Sequence, residues 1–245
     1  MNHKNAIVTG ASRGIGRSIA LLLASEGFNL VINCSKSTVE LLKVCEEIKA
    51  YPVKCGIHTG NLGNHQEAEN LIRTAHEIFG GEYTDILINN AGISHVGLTQ
   101  DMSFDEWNNI VNTNLSSVFY MSKLVIPEMI KQRHGKIINI SSVWGICGAS
   151  CETAYSATKG GINAFTKALG KELAPSNIQV NAIACGAVDT AMNSCFSKED
   201  LEMLCEEIPV GRMARPEEIA QFALQLINAP DYLTGEVIKM DGGWI

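Results

Sequence analysis

A chain of 245 residues, 46% hydrophobic and 18% charged, can fill the core of one large α/β domain. Its formal net charge of -7 argues against a nucleic-acid protein, which would need an excess of Lys and Arg for phosphate contacts. No apolar run approaches the roughly 20 residues needed to span a bilayer, and the opening MNHKNAIVTGAS shows no secretory signal, so a cytoplasmic protein is expected. The eight cysteines (34, 45, 55, 147, 151, 185, 195, 205) are scattered, which favours free buried thiols over disulfides. With no C-x-x-C pair and no histidine near a cysteine pair at zinc spacing, a metal site is not expected.

The first strand-like run, Ala6–Thr9, passes into Thr9-Gly10-Ala11-Ser12-Arg13-Gly14-Ile15-Gly16 and a helical pattern over Gly14–Glu26. Glycines at a strand-to-helix turn let backbone approach a pyrophosphate, and the N–H groups at the helix start offer an anion site. The spacing Gly10-x3-Gly14-x-Gly16 also fits an ordinary tight turn. The second run, Leu30–Asn33, ends in Cys34-Ser35-Lys36 with no carboxylate for the ribose 2′-hydroxyl of NAD. Arg13, Ser35 and Lys36 would instead surround a 2′-phosphate, so NADP(H) is the expected cofactor.

Further along come a helix over Thr38–Lys49, a strand over Val53–Ile57, a helix over Gln66–Phe79 and the strand Ile86–Asn89, followed by Asn90-Ala91-Gly92. One long helix is predicted over Phe104–Lys131 and a fifth strand over Lys136–Ile140, leading into Ser141-Ser142. In the helix predicted over Thr153–Leu173, Tyr155 and Lys159 stand at i and i+4 and share a face. A lysine ammonium beside a phenol favours the phenolate and is expected to lower its pKa by roughly 1–3 units, making a general acid for a carbonyl oxygen. Taken alone, Y-x-x-x-K is more often a pair of plain surface neighbours. The strands Gln179–Ile183 and Glu236–Met240 flank a helix over Pro216–Ile227. The irregular Ala184–Pro209 reads as a helical flap over a substrate site or, less strongly, as a solvated insertion. Near-continuously apolar strands alternating with helices predict a doubly wound, seven-stranded parallel sheet within a single nucleotide-binding domain, 1–245.

T-G-A-S-R-G-I-G, Asn89-Asn90-Ala91-Gly92, Asn114, Ser142 and Y-x-x-x-K, in this order and at these separations, resemble the short-chain dehydrogenase/reductase family across the whole chain. The branch that looks closest is the 3-oxoacyl-[acyl-carrier-protein] reductases of fatty-acid synthesis, through N-T-N-L-S-S-V-F (112–119), R-H-G-K-I-I-N-I-S-S (133–142) and T-G-E-V-I-K-M-D-G-G (234–243). The resemblance implies an NADPH-dependent, homotetrameric carbonyl reductase, with reduction of 3-oxoacyl groups on acyl-carrier protein as its expected activity. Tyr155 would donate the proton, Lys159 would lower the tyrosine pKa and bond the nicotinamide ribose, Ser142 would orient the carbonyl, and Asn114 would hold a water beside Lys159. Asn90 would line the ribose, Asn61-Leu62 the adenine, and Val188 the nicotinamide carboxamide.

Three positions depart from that pattern. Asn61 stands where the family usually has Asp. Cys185-Gly186 replaces Pro-Gly, which implies a less rigid loop. Ser176 stands where carrier-protein reductases often have a basic residue, leaving Lys131, Arg133 and Lys136 as the basic patch for an acidic acyl-carrier protein. The segment Val143–Glu152 is similar to that of a bacterial branch that reduces a 5-aminopentanone group on elongation factor P, although Trp144 and its two cysteines also read as packing residues. A sterol, sugar or other small ketone is a further substrate class. A non-catalytic nucleotide sensor on the same fold is the distant alternative, against which the intact Ser142, Tyr155 and Lys159 argue.

Overall fold

The computed structural model describes residues 4–193 and 196–245. Its strands are β1 (Asn5–Val8), β2 (Asn29–Cys34), β3 (Cys55–Thr59), β4 (Ile86–Asn89), β5 (Gly135–Ser142), β6 (Ile178–Cys185) and β7 (Val237–Met240). They form one parallel sheet in the order β3-β2-β1-β4-β5-β6-β7, as the apolar runs predict. The order reverses between β1 and β4, and the crevice at their carboxyl ends is where open α/β sheets take ligands.

Alternate strand residues face opposite layers. Ala6 and Val8 turn to a core shared with α1 (Gly14–Ser25), α2 (Thr38–Ile48) and α9 (Pro216–Ile227), filled by Ile19, Leu23, Leu41, Ile48 and Ile219. Ile7 turns to the core beneath α3 (His65–Phe79), α5 (Ser117–Gln132) and α7 (Thr153–Leu173), filled by Leu71, Phe79, Met121 and Leu169. Among the described residues no helix is long and apolar enough to cross a membrane.

Several predicted boundaries shift. The long helix Phe104–Lys131 is interrupted: α4 (Phe104–Val111) passes through a π-helical turn, Asn112–Ser116, before α5. The third strand begins at Cys55 rather than Val53, because Pro52 cannot donate to a ladder and Val53 N–H closes a turn onto the Tyr51 carbonyl (2.8 Å). β5 and β6 run on to Ser142 and Cys185, and a short helix, α6 (Trp144–Cys147), follows β5. Within Ala184–Pro209, of which Ser194 and Cys195 lie outside the described residues, a helix does form. It is α8 (Lys198–Glu207), started by a capping box between Ser197 and Asp200. Of the thiols, Cys34, Cys45 and Cys185 are buried as expected. Cys55, Cys151 and Cys205 are only partly covered and Cys147 is exposed, because they sit at element ends and in surface turns; Cys195 is outside the described residues. All seven described cysteines are free.

Candidate active site

At the carboxyl end of β1 the chain turns through Gly10 (φ +64°) and Gly14 (φ +55°), conformations that favour glycine. A Cβ at Gly16 would collide with the Gly10 carbonyl and the Asn90 carboxamide, and one at Gly14 would come within 3.2 Å of Thr190. Asn90 Nδ2 donates to the Thr9 and Gly10 carbonyls (2.9 and 3.0 Å), so this side chain braces the turn as well as facing the cleft. No side chain caps the start of α1, which leaves its first N–H groups directed at the cleft. Asn33, buried at the end of β2, donates to the His58 and Gly60 carbonyls and so fixes the loop that carries Asn61 and Leu62.

The cleft has a volume of about 450 Å³. Of the residues expected to hold a cofactor, Gly10, Ser12, Arg13, Gly14, Ile15, Ser35, Asn61, Leu62, Asn90, Ala91, Gly92, Tyr155 and Lys159 line it. Gly16 lies beneath it, giving the helix its close approach to the turn. Lys36 is exposed and does not line the cleft, because the chain turns there and presents Ser37 instead. Gly186 and Val188 line the adjoining cavity. The donor set fits a dinucleotide: a glycine floor, helix-start N–H groups, and Arg13 with the Ser35 and Ser37 hydroxyls where the second strand ends.

Tyr155 lines both spaces, the cleft and a second cavity of about 900 Å³. Its hydroxyl lies within hydrogen-bonding reach of Ser142 at the tip of β5. Lys159, one turn along α7, is buried; its Nζ donates to the Ile140 carbonyl (2.8 Å) and lies 5.5 Å from the centre of the Tyr155 ring. The electrostatics correct the expectation of a lowered tyrosine pKa. Burial, with Cys185 nearby, holds the phenol well above its ordinary value against the opposing Ser142 hydrogen bond. Burial likewise pushes the Lys159 ammonium down to about 8 and the neighbouring Cys185 thiol up to about 12. Lys159 does not lower the phenol, its Nζ being turned to the Ile140 carbonyl. At neutral pH the pair is therefore a protonated phenol beside an ammonium, and the thiol is neutral.

Asn114 sits fully buried in the π-helical turn, a common device for re-aiming a side chain. Its carboxamide exchanges two hydrogen bonds with the Ile93 backbone (2.8 and 2.9 Å) and donates to Thr158 Oγ1 (3.2 Å), clamping the Gly92–Ile93 segment against α7. Buried polar residues that the sequence reading passed over hold the rest. Asn139 joins Asn89 to Thr166, and Ser141 accepts no slack either, bonding Asn163 Oδ1 (2.6 Å) while Asn163 holds the Gly145 carbonyl. The signal was legible as Asn and Ser inside the apolar runs I-L-I-N-N and I-I-N-I-S-S. The loop after Cys185 is tied by main-chain bonds, Gly186 N–H to the Met240 carbonyl (2.9 Å) and Ala214 N–H to the Ala187 carbonyl (2.9 Å).

The larger cavity is walled by Ser142, Tyr155, Cys185 and Val188, by Trp144, Gly148, Ala149, Ser150 and Glu152, and by α8 through Asp200, Met203, Leu204 and Glu207. The flap read from the sequence thus supplies a wall. Trp144 packs edge-on against Trp244 (centroids 4.8 Å) and also faces the cavity. The predicted basic patch loses one member: Lys131 and Arg133 are exposed, but Lys136 is not. Lys136 is buried, donating to the Ala229 carbonyl (2.6 Å) beside Asp231, because its aliphatic stem lies in the sheet. Lys131 and Arg133 precede β5, so within one chain they lie at the opposite end of that strand from Ser142, about 20 Å away at strand rise.

Comparison with known proteins agrees with this geometry. The family described as short chain dehydrogenase matches residues 4–200. The chain is 40% identical over 241 residues to the 3-oxoacyl-[acyl-carrier-protein] reductase FabG of Staphylococcus aureus, covering 98% of this chain and 97% of that one. It is 37% identical over 244 residues to the enzyme of the same name from Thermotoga maritima, covering 99% and 98%. It is equally 37% identical, over 99% of both chains, to an uncharacterized oxidoreductase of Bacillus subtilis, YmfI.

Proposed function

Since the chain belongs to the short-chain dehydrogenase family, and is on that ground an oxidoreductase of CH–OH carbons, we propose that it reduces a ketone to a secondary alcohol with NADPH, in the cytoplasm. The observation that carries the reading is Tyr155, which borders both cleft and cavity with Ser142 at its hydroxyl. The glycine turn and Lys159 would hold a nicotinamide cofactor in the cleft, and that cofactor would supply the hydride. Tyr155 gives its phenolic proton to the ketone oxygen, which its raised pKa keeps loaded. Ser142 bonds the same oxygen and stabilises its developing charge. Lys159, buried and poised near neutrality, restores the proton, with Asn114 fixing its surroundings. Arg13, Ser35 and Ser37, in the absence of a carboxylate, favour the 2′-phosphate.

For the substrate, the reading is a 5-aminopentanone arm on elongation factor P, supported by the Val143–Glu152 segment, which resembles that branch and supplies part of the cavity wall. The second reading, a 3-oxoacyl group on acyl-carrier protein, is favoured by the names of the relatives. One assay separates them: the purified protein, NADPH absorbance, and either acetoacetyl-carrier protein or elongation factor P bearing 5-aminopentanone. The protein-borne aminoketone should be reduced faster, and NADPH should bind roughly 10–100-fold more tightly than NADH. Faster turnover of the acetoacetyl thioester would overturn the substrate reading, and equal cofactor affinities would overturn the NADPH reading.

Assembly is the other proposal. Phe104 is 89% exposed, and Trp107 and Phe119 on the same outer layer are about half exposed, an apolar surface of the kind subunits cover. Self-packing through α4, α5 and α7, with the C-terminal segment 235–245 as the second two-fold contact, gives a homotetramer. Light scattering at micromolar concentration should return four subunits; a stable monomer would contradict it.

A further inference from the structure

Glu152 stands at the entrance to α7, half-buried on the wall of the larger cavity. It occupies the helix N-cap position yet its side chain makes no cap hydrogen bond, so local helix chemistry does not account for the carboxylate. The indole N–H of Trp144 lies within hydrogen-bonding reach of it, and the Trp144 ring, braced on Trp244, forms the adjoining wall. Burial raises the Glu152 pKa against that hydrogen bond, and the carboxylate is close enough to act on Tyr155. Among the described residues no Lys, Arg or His lines this cavity and no cation pairs with Glu152. The other cavity acids are Glu207 and Asp200, and the latter is committed to capping α8 through Ser197. A carboxylate against an indole in a space without cations is the chemistry that takes an ammonium group, by charged hydrogen bond on one side and cation–π contact on the other.

We propose that Glu152 and Trp144 are specificity residues of this cavity, which bind a primary ammonium group on the substrate beside the carbonyl held by Tyr155 and Ser142. The proposal rests on the reading of this cavity as the site of an aminoketone, and it assigns recognition of that substrate's amino group to these two residues. An anionic or uncharged arm would leave the carboxylate without a counter-charge.

Calorimetry on the NADP-loaded protein with n-pentylammonium and 1-pentanol, equal in length, tests it without turnover. The ammonium should bind about 10–100-fold more tightly. Glu152→Gln should bring the ratio to about one, and Trp144→Leu should lower it several-fold. Equal affinities in the wild type, or an undiminished preference in a folded Glu152→Gln protein, would overturn the proposal. If either variant fails to fold, the wild-type ratio still decides. A protein that prefers the ammonium but reduces no ketone sinks the reductase reading and leaves the recognition site standing; one that reduces neutral ketones with no ammonium preference does the reverse.

Discussion

Lys159→Met is expected to cut ketone reduction at least a hundredfold, to weaken NADPH binding, and yet to leave the protein no less stable at pH 7. The methionine keeps the stem's volume, so the buried space beside Ile140 stays filled. What is lost is the proton donor beside Tyr155, a role typically worth 10²–10⁴-fold in rate. The stability effect follows from burial. An ammonium whose pKa falls from 10.5 to about 8 on folding costs about 3 kcal/mol while it remains charged. The unpaired Ile140 carbonyl in the variant offsets part of that gain, by about 1–3 kcal/mol. The sign is fixed: between pH 8 and 10.5 the unfolded wild type holds a proton that the folded form has released, so wild-type stability rises with pH across that window. The variant lacks this contribution, so its stability relative to wild type should fall as pH goes from 8 to 10.5. Denaturant midpoints of the two proteins at several pH values in that range check it; a constant difference would mean that Lys159 is not desolvated.

Such a residue shows what the sequence could and could not tell. The i, i+4 spacing of Tyr155 and Lys159 on one helix was legible because the helical period alone determines it. The glycine turn was legible because conformations at positive φ select glycine. The direction of the tyrosine shift was not, since it depends on how deep the hydroxyl sits and on where Lys159 Nζ points, and those are set by β5 and β6 extending to Ser142 and Cys185. The break in the helix over Phe104–Lys131 was hidden for a related reason. Asn112–Ser116 has no proline or glycine to mark it, and the extra residue in the turn is stabilised by Asn114 bonding Ile93, a contact 21 positions away in sequence. Lys136 misled in the opposite sense: a basic residue beside Arg133 reads as a surface patch until the strand register places it inward under Asp231. Glu152 and Trp244 belong to one wall although 92 residues separate them, and only the folded chain brings them together.

Tyr155→Phe carries the second large effect. It deletes one hydroxyl and keeps the ring that lines both spaces, so cofactor affinity should stay within about twofold of wild type. The ketone oxygen loses its proton donor and one of its two hydrogen bonds, leaving Ser142 alone to stabilise the developing charge. A loss of 10²–10⁴-fold in rate is expected, with the residual activity owed to positioning and to that remaining hydroxyl. Lys159→Met and Tyr155→Phe should differ in NADPH affinity, because in the proposed mechanism only the lysine also holds the ribose.

The central claim, that this chain reduces a ketone through Tyr155, is tested most directly by a single-turnover measurement with NADPH-saturated protein and its best ketone substrate. Wild-type protein should convert NADPH and ketone to the alcohol in equal amounts, and Tyr155→Phe, with unchanged NADPH affinity, should do so at least a hundredfold more slowly. A Tyr155→Phe protein that turned over at the wild-type rate would contradict the mechanism, however closely the fold and the glycine turn match the family.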